Sequence, residues 1–261
     1  MLKYPRTPHL QGSRRQPGDE GLDDVSFKSV AGKHTVIEEK VDGANAAIHF
    51  DASGHIHLQS RGHILTGGPR ERQFDLFKSW ARVHQEALWN ALASRYVMYG
   101  EWCYARHTIF YDKLPHYFLE FDVYDRDEEQ FLSTPRRQTL SAGLPIVSVP
   151  ILHEGRINGP DDLHGMIGPS RFKTPQWREH MEESCHGSGL DSVRAMADTD
   201  PSNNAEGLYV KVEHDGNVTG RYKFLRESFL SVVAASDDHW MNKPLVPNLL
   251  AAGIDIFSVP S

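Results

Sequence analysis

Short apolar runs separated by turn-forming residues dominate this chain. Residues 34–40 alternate well enough to read as a strand that leads into the turn-like Asp42-Gly43. A second run at 46–50 faces another across Asp51-Ala52-Ser53-Gly54, the pattern of a hairpin. Between 70 and 92, Phe74, Phe77, Val83, Leu88 and Leu92 recur at helical spacing, and Pro69 stands where a first-turn proline is tolerated. That stretch predicts one long amphipathic helix. Residues 96–102 and 117–124 are rich in β-branched and aromatic side chains and predict two strands. Thr134-Pro135 reads as an N-cap and first helical residue, with Gly143 closing a short helix. Residues 159–166 and 175–184 also read as helical. A last hairpin joins 207–212 to 218–225 through Asp215-Gly216-Asn217. Residues 1–30 look polar and irregular, with a loop over 11–24 punctuated by Gly12, Pro17, Gly18 and Gly21. Without repeats or regular strand–helix–strand alternation, the pattern predicts an α+β domain with antiparallel sheets flanked by helices.

Composition narrows the class. A chain of 261 residues fits one large domain, or a domain with an appendage. Its 39% hydrophobic and 24% charged residues exclude collagen-like, coiled-coil and wholly disordered chains. The net charge of −7 argues against a surface that grips polyanions everywhere, but leaves room for a local basic groove. Cys103 and Cys185 cannot build a disulfide framework, which points to a reducing, cytoplasmic setting. There is no signal-like apolar leader, and no stretch of about 18 apolar residues that would predict a membrane span. His55 and His57 share a strand face without a third ligand nearby and read as surface histidines.

The segment Glu38-Glu39-Lys40-Val41-Asp42-Gly43-Ala44-Asn45 concentrates chemistry. An amine at a strand end becomes a nucleophile when desolvation or neighbouring cations lower its pKa, and glycine lets backbone approach a ligand closely. Further candidates follow in order: Ser60-Arg61-Gly62, Tyr99-Gly100-Glu101-Trp102, Phe121-Asp122-Val123-Tyr124, Glu206-Gly207-Leu208-Tyr209-Val210-Lys211 and Arg221-Tyr222-Lys223. This ordered series resembles the covalent nucleotidyltransferases, which comprise ATP-dependent RNA and DNA ligases and mRNA capping enzymes. Asn45, where DNA ligases and capping enzymes usually carry arginine, resembles the RNA ligase branch that includes the phage nick-sealing and RNA-editing ligases. Arg221 departs from the family's usual lysine, keeping the charge but not a titratable amine.

The resemblance implies a nucleotidyltransferase (adenylation) domain over 1–230 and a short extension over 231–261. Only 35 residues follow Arg226, too few for the OB-fold of DNA ligases. It implies an ATP-dependent RNA ligase in which Lys40 takes AMP from ATP, passes it to a 5′-phosphate, and the end is sealed to a 3′-hydroxyl. Lys223 and Arg221 would hold the α-phosphate and lower the pKa of Lys40, and Glu206 would serve the metal. Glu39, Asn45, Arg61, Glu101, Phe121 and Lys211 would bind the nucleotide, with Phe121 stacking on the purine, and Asp42 and Asp122 in support. Strand alternation puts Glu38 on the face of Lys40, whereas the family pattern selects Glu39. Glu39 is preferred here because the strand is ending. Mg²⁺ is the expected metal, with Mn²⁺ an acceptable substitute. A monomer acting on RNA ends is expected, with room for an end-healing or substrate-binding partner protein.

A DNA ligase, a capping-type guanylyltransferase, a transferase acting on a protein or small molecule, and a non-catalytic nucleic-acid-binding scaffold are the competing readings. The basic, aromatic stretch 104–111 reads either as a contact to nucleic acid or triphosphate, or as a loop packed over the sheet. The five acids and five bases of the proposed site balance, so the acidic surplus lies elsewhere.

Overall fold

The computed structural model describes residues 1–13, 24–235 and 244–258, so the predicted breakers Pro17, Gly18 and Gly21 and part of 231–261 fall outside it. The strands are β1 (Thr35–Lys40), β2 (Ala44–Phe50), β3 (Ile56–Ser60), β4 (Tyr96–Trp102), β5 (Phe118–Asp125), β6 (Gln130–Leu132), β7 (Val147–Ser148), β8 (Ile151–Gly155), β9 (Gly207–His214) and β10 (Asn217–Leu225). They form one sheet in the order β3-β2-β4-β5-β6-β10-β9-β1-β8, with β7 parallel on β5. The strand pairs along that order are antiparallel.

β6 contributes just two residue pairs to each neighbour. The sheet is therefore two four-stranded lobes, β3-β2-β4-β5 and β10-β9-β1-β8, on a narrow bridge. Alternation sorts each strand's side chains by face. On the first lobe, Ile48, Phe50, Met98, Trp102 and Phe118 pack against Phe77, Trp80, Leu88 and Leu92. On the second, Ile37, Leu208, Val210, Val212 and Phe224 pack against Leu10, Phe27 and Leu163. Charged groups tie the lobes together: Glu38 on β1 pairs with Arg137 at 2.5 Å, and Lys211 on β9 pairs with Asp122 on β5 at 3.1 Å.

The two long predicted hairpins and both central strands are present. The predicted helix over 70–92 is not continuous. A 3-10 turn (Pro69–Phe74) precedes α1 (Asp75–Val83) and α2 (Gln85–Leu92), which break at His84. The His84 ring hydrogen-bonds the Ile256 carbonyl at 3.2 Å. Both pieces bury one face, through Phe77 and Trp80 and then Leu88 and Leu92, so the apolar spacing carries across the break unchanged. α3 (Thr134–Ser141) is capped one residue earlier than predicted, at Ser133, because the amide and hydroxyl of Thr134 both donate to Glu213 Oε1. α4 (Pro160–Met166) and α5 (Trp177–Gly187) lie close to their predicted places, and α6 (Ser192–Ala197) and α7 (Glu227–Ala235) complete the helices of four or more residues.

Residues 1–13 are irregular but not loose. Leu10 and Tyr4 are buried, and the Leu10 amide and Lys223 carbonyl hydrogen-bond at 3.0 Å. Residues 244–258 run along the loop 103–117 through backbone bridges at Ala105–Pro247 and Leu114–Leu250. Among the described residues, no helix is long and apolar enough to cross a membrane.

Candidate active site

β1 and β2 belong to different lobes, and the four residues from Lys40 to Gly43 carry the chain between them. Lys40 ends β1 opposite Gly207, so Glu206, the residue before β9, stands beside it. Lys40 Nζ lies 2.8 Å from Glu206 Oε2, with the two side chains 26% and 2% exposed. Asp42 is held firmly: its Oδ2 accepts from the Thr108 and Ile109 amides at 2.7 Å each, and its own amide donates to the Tyr111 hydroxyl at 2.9 Å. The loop over 104–111 is thus packed around the turn, with Arg106 buried and bonded to Asp198 and Thr199.

Glu101 completes this group. Its Oε1 accepts from the Gly43 amide at 3.1 Å, and it pairs across β2–β4 with Asn45. Asn45 Oδ1 is buried without a hydrogen-bond partner. Arg61 follows Ser60, the partner of Ala46, and so lies one step from Asn45 in register. Its side chain is exposed and makes no hydrogen bond or ion pair among the described residues.

The electrostatics reverse one expectation. Burial alone would lower the pKa of Lys40, but Glu206, Glu101 and Asp42 together hold it above its ordinary value. The net shift is therefore upward, opposite to the expected lowering by Lys223 and Arg221. Burial raises the pKa of Glu101 to about 8 and that of Glu206 to about 7, against the opposing pull of Lys40. Lys40 is thus held as an ammonium beside Glu206 and Glu101, whose carboxyl groups burial biases toward the protonated form. Glu206→Gln removes the largest attraction that holds the proton, so burial should dominate and the Lys40 pKa should fall. Acylation of Lys40 by an amine-reactive ester, followed by mass spectrometry across pH, is expected to move to lower pH in that variant. An unchanged profile would show that Glu206 does not set the charge of Lys40.

Gly43 is required on steric grounds. A Cβ there would sit 2.8 Å from the Trp102 carbonyl oxygen and 3.1 Å from Glu101 Cγ. Gly43→Ala must therefore push the turn away from β4. An ångström-scale displacement of a reacting group costs about 10²-fold in rate, and a loss of that order in lysine adenylylation is expected, read by retention of labelled AMP on the protein.

A second group lies farther along the inner face. Half-buried Phe121 meets the rings of Tyr4 and Tyr209 at 5.3 and 6.0 Å. Asp122 accepts from the Tyr4 hydroxyl at 2.5 Å and from that of Tyr209 at 3.2 Å, and Arg221 stands 3.7 Å away. Burial would raise the pKa of Asp122, yet Lys211 and Arg221 keep it below its ordinary value. Lys211 is fully buried, 2.8 Å from Glu38, and donates to the Phe121 carbonyl. Arg221 lies over the Phe131 ring at 3.8 Å. Lys223 shares its strand face and acts electrostatically on Glu206.

The structure therefore gathers Lys40, Asp42, Asn45, Glu101 and Glu206, and sets Phe121, Asp122, Lys211 and Arg221 in an adjoining cluster. Glu39 joins neither. β1 runs through Lys40, so alternation holds to its end and the argument for Glu39 from a fading strand fails. The Glu39 carboxylate accepts from Ser170 Oγ at 2.5 Å and the Arg171 amide at 3.1 Å, while Glu38 faces Lys211. Sequence reading missed Tyr4, Arg137 and Ser170. Tyr4 and Ser170 sit in stretches with little pattern, and each meets its partner across more than 100 residues.

An amine at the line where two half-sheets meet, beside Glu206, Glu101 and Asp42 and adjoined by an aromatic cluster, is the candidate site. The sequence profile of the RNA ligase family matches residues 33–225, which is most of the chain, and the chain belongs to that family. Similar structures include a Naegleria gruberi RNA ligase mutant with ATP and Mn (18% identity, TM-score 0.55, covering 88% of this chain and 58% of that one). Another mutant of that ligase, with AMP and Mn, matches at 17% identity and TM-score 0.53, covering 88% and 57%. The same ligase with PPi matches at 18% and 0.51, covering 86% and 60%. At these identities the likeness is one of fold, and the chain spans less than two thirds of those proteins' length. No curated protein sequence matches significantly.

Proposed function

We propose that this protein is an ATP-dependent RNA ligase that works through a lysyl-AMP intermediate. The observation that carries the reading is the Lys40–Glu206 contact at the inter-lobe turn, inside the segment matched by the RNA ligase family. Once its ammonium has released a proton to water, the Lys40 amine attacks the α-phosphorus and forms a P–N bond as pyrophosphate leaves. A 5′-phosphate oxygen then displaces the lysine and takes the AMP. A 3′-hydroxyl finally attacks the activated phosphate, forms the phosphodiester and releases AMP. Such transfers depend on positioning and charge neutralisation.

Phe121 stacks on the purine, Glu101 takes the ribose, and Asn45 and Arg61 contact ribose and phosphate. Lys223 holds the α-phosphate, with Arg221 and Lys211 behind it fixing Asp122 and the Phe121 backbone. Asp42 fixes the turn. The Glu206 carboxylate, beside Lys40, is the hard oxygen donor that a divalent ion would use here. No group of three or more acidic, histidine or cysteine side chains could hold a metal among the described residues, so phosphate oxygens and water would complete its shell. When bound, Mg²⁺ or Mn²⁺ neutralises phosphate charge. The Naegleria ligase mutants seen with ATP and Mn and with AMP and Mn support that assignment. Residues 1–230 form the adenylation domain and 231–261 an extension, of which 244–258 run along the loop 103–117. The protein acts as a cytoplasmic monomer, with any end-healing or substrate-binding partner supplying further grip.

The test is sealing of matched nicked duplexes with RNA or DNA on each side of the nick, beside single-stranded ends, with labelled ATP or GTP. Label from ATP on the protein and sealing of 5′-phosphorylated RNA ends are expected. Label from GTP alone would indicate a guanylyltransferase, and sealing confined to all-DNA nicks a DNA ligase. AMP transfer to no nucleic-acid end would sink the ligase assignment.

A further inference from the structure

Asn248 lies beyond the family match, which ends at 225, and is fully buried. Every polar group it has is engaged by the loop 103–117. Its Nδ2 donates to the Cys103 carbonyl at 2.7 Å, and its Oδ1 accepts from the Tyr111 amide at 2.9 Å. Its own amide donates to the Tyr104 carbonyl at 2.8 Å, and its carbonyl accepts from the Tyr117 hydroxyl at 3.0 Å. One side chain therefore ties the start of the loop to its descending arm. The same loop holds Asp42: the Thr108 and Ile109 amides grip the carboxylate, and the Tyr111 hydroxyl takes the Asp42 amide. Tyr111 belongs to both sets, receiving Asn248 on its backbone and Asp42 on its ring. The backbone contacts of Val246, Leu249 and Ala251 with this loop fix the tail's register.

We propose that Asn248 is a positioning residue for the nucleophile: it sets the shape of the loop that clamps Asp42, and so fixes the turn that aims Lys40. The inference rests on the ligase reading for its kinetic consequence but not for its structural one. A Tyr111 amide left without Asn248 would have to find water or shift, and the ring that receives the Asp42 amide would shift with it.

The experiment uses the full chain with Asn248→Ala, Asn248→Asp, Tyr111→Phe and the Ala/Phe double variant. Asn248→Asp keeps the acceptor for Tyr111 but sets an oxygen against the Cys103 carbonyl. The single-turnover rate of lysyl-AMP formation at saturating ATP is expected to fall about 10²-fold in Asn248→Ala. The double variant should fall no further than the worse single variant, because both act through one path. Hydrogen exchange at the Asp42, Thr108 and Ile109 amides should be faster by about tenfold or more in both Asn248 variants. Val246→Ala, which removes packing against Phe110 and Trp177, is the control. It should lower the melting midpoint yet keep the wild-type rate at temperatures well below it.

An unchanged rate, unchanged exchange at those three amides, multiplying effects in the double variant, or an equal rate loss in Val246→Ala would each overturn the proposal. If Asn248→Ala does not fold, Asn248→Asp and Tyr111→Phe carry the same comparisons. Wild-type protein that takes no label on Lys40 would sink the ligase reading, and the exchange measurement would still decide the positioning role.

Discussion

Lys40→Ala is expected to abolish uptake of labelled AMP and to lower overall sealing by at least about 10³-fold, the scale for loss of a covalent nucleophile. Among the described residues, Lys211 is enclosed by Glu38 and Asp122, and Lys223 lies across the strand pair opposite Tyr209, so neither takes its place. Lys40→Arg is the sharper variant. It keeps a cation beside Glu206 but offers a guanidinium that stays protonated. It should therefore fold as the wild type does and take no label. Ends that already carry AMP on the 5′-phosphate bypass the amine, so both variants are expected to seal such ends while failing on ordinary 5′-phosphates. A folded Lys40→Arg protein that became labelled would remove Lys40 from the mechanism.

The prominence of Lys40 in the sequence and the error about its charge have one physical origin. The KxDG-type turn, the Glu-Gly step and the basic pair are local patterns, and their order along the chain survives folding. How groups converge in space is not local. Arg221 and Lys223 share a strand face by simple alternation, and the family resemblance set both beside Lys40. In the folded protein Arg221 is drawn over Phe131 and toward Asp122, while Glu206, Glu101 and Asp42 arrive from β9, β4 and the inter-lobe turn to surround the amine. Strand spacing predicts faces well, but it cannot say which face of another strand will be met. The same limit hid Tyr4, whose segment has no periodicity and gains its place solely by packing on Phe121 and Asp122. β6 and β7, three and two residues long, are too short for any period to register.

Acidity follows the same logic. The net charge of −7 is a sum over the whole chain, whereas the residues named for the candidate site set five acids against five bases. Nucleic-acid grip from such a balance should be modest and weaken steeply with salt. Beyond the matched residues 33–225, part of the following segment is built into the loop that holds the Lys40–Gly43 turn.

The largest effect on stability is expected at Arg137. Its guanidinium is 1% exposed, bridges both oxygens of Glu120 at 2.7 and 2.9 Å, and reaches Glu38 Oε1 at 2.5 Å. It thereby joins α3 to a strand of each lobe. Arg137→Ala would leave two buried carboxylates with Lys211, already shared with Asp122, as the nearest cation. Removing one partner from a buried charge cluster costs about 3–5 kcal/mol, against a total stability of about 5–15 kcal/mol for a domain of ordinary kind. The sign with pH follows from the carboxylates. Burial already raises the pKa of Glu38, and without the guanidinium it can escape its burial by taking up a proton. The variant should therefore lose stability relative to wild type as pH rises from the acidic range to neutrality, and the two should converge in acid. Urea unfolding at about pH 5 and about pH 8 would measure this. Combining Glu38→Gln with Arg137→Met removes one uncompensated charge and refills the volume, so it should recover part of the loss. A loss below about 1 kcal/mol at neutral pH, the scale of an exposed ion pair, would mean that the lobes are held by their apolar contacts and not by this cluster.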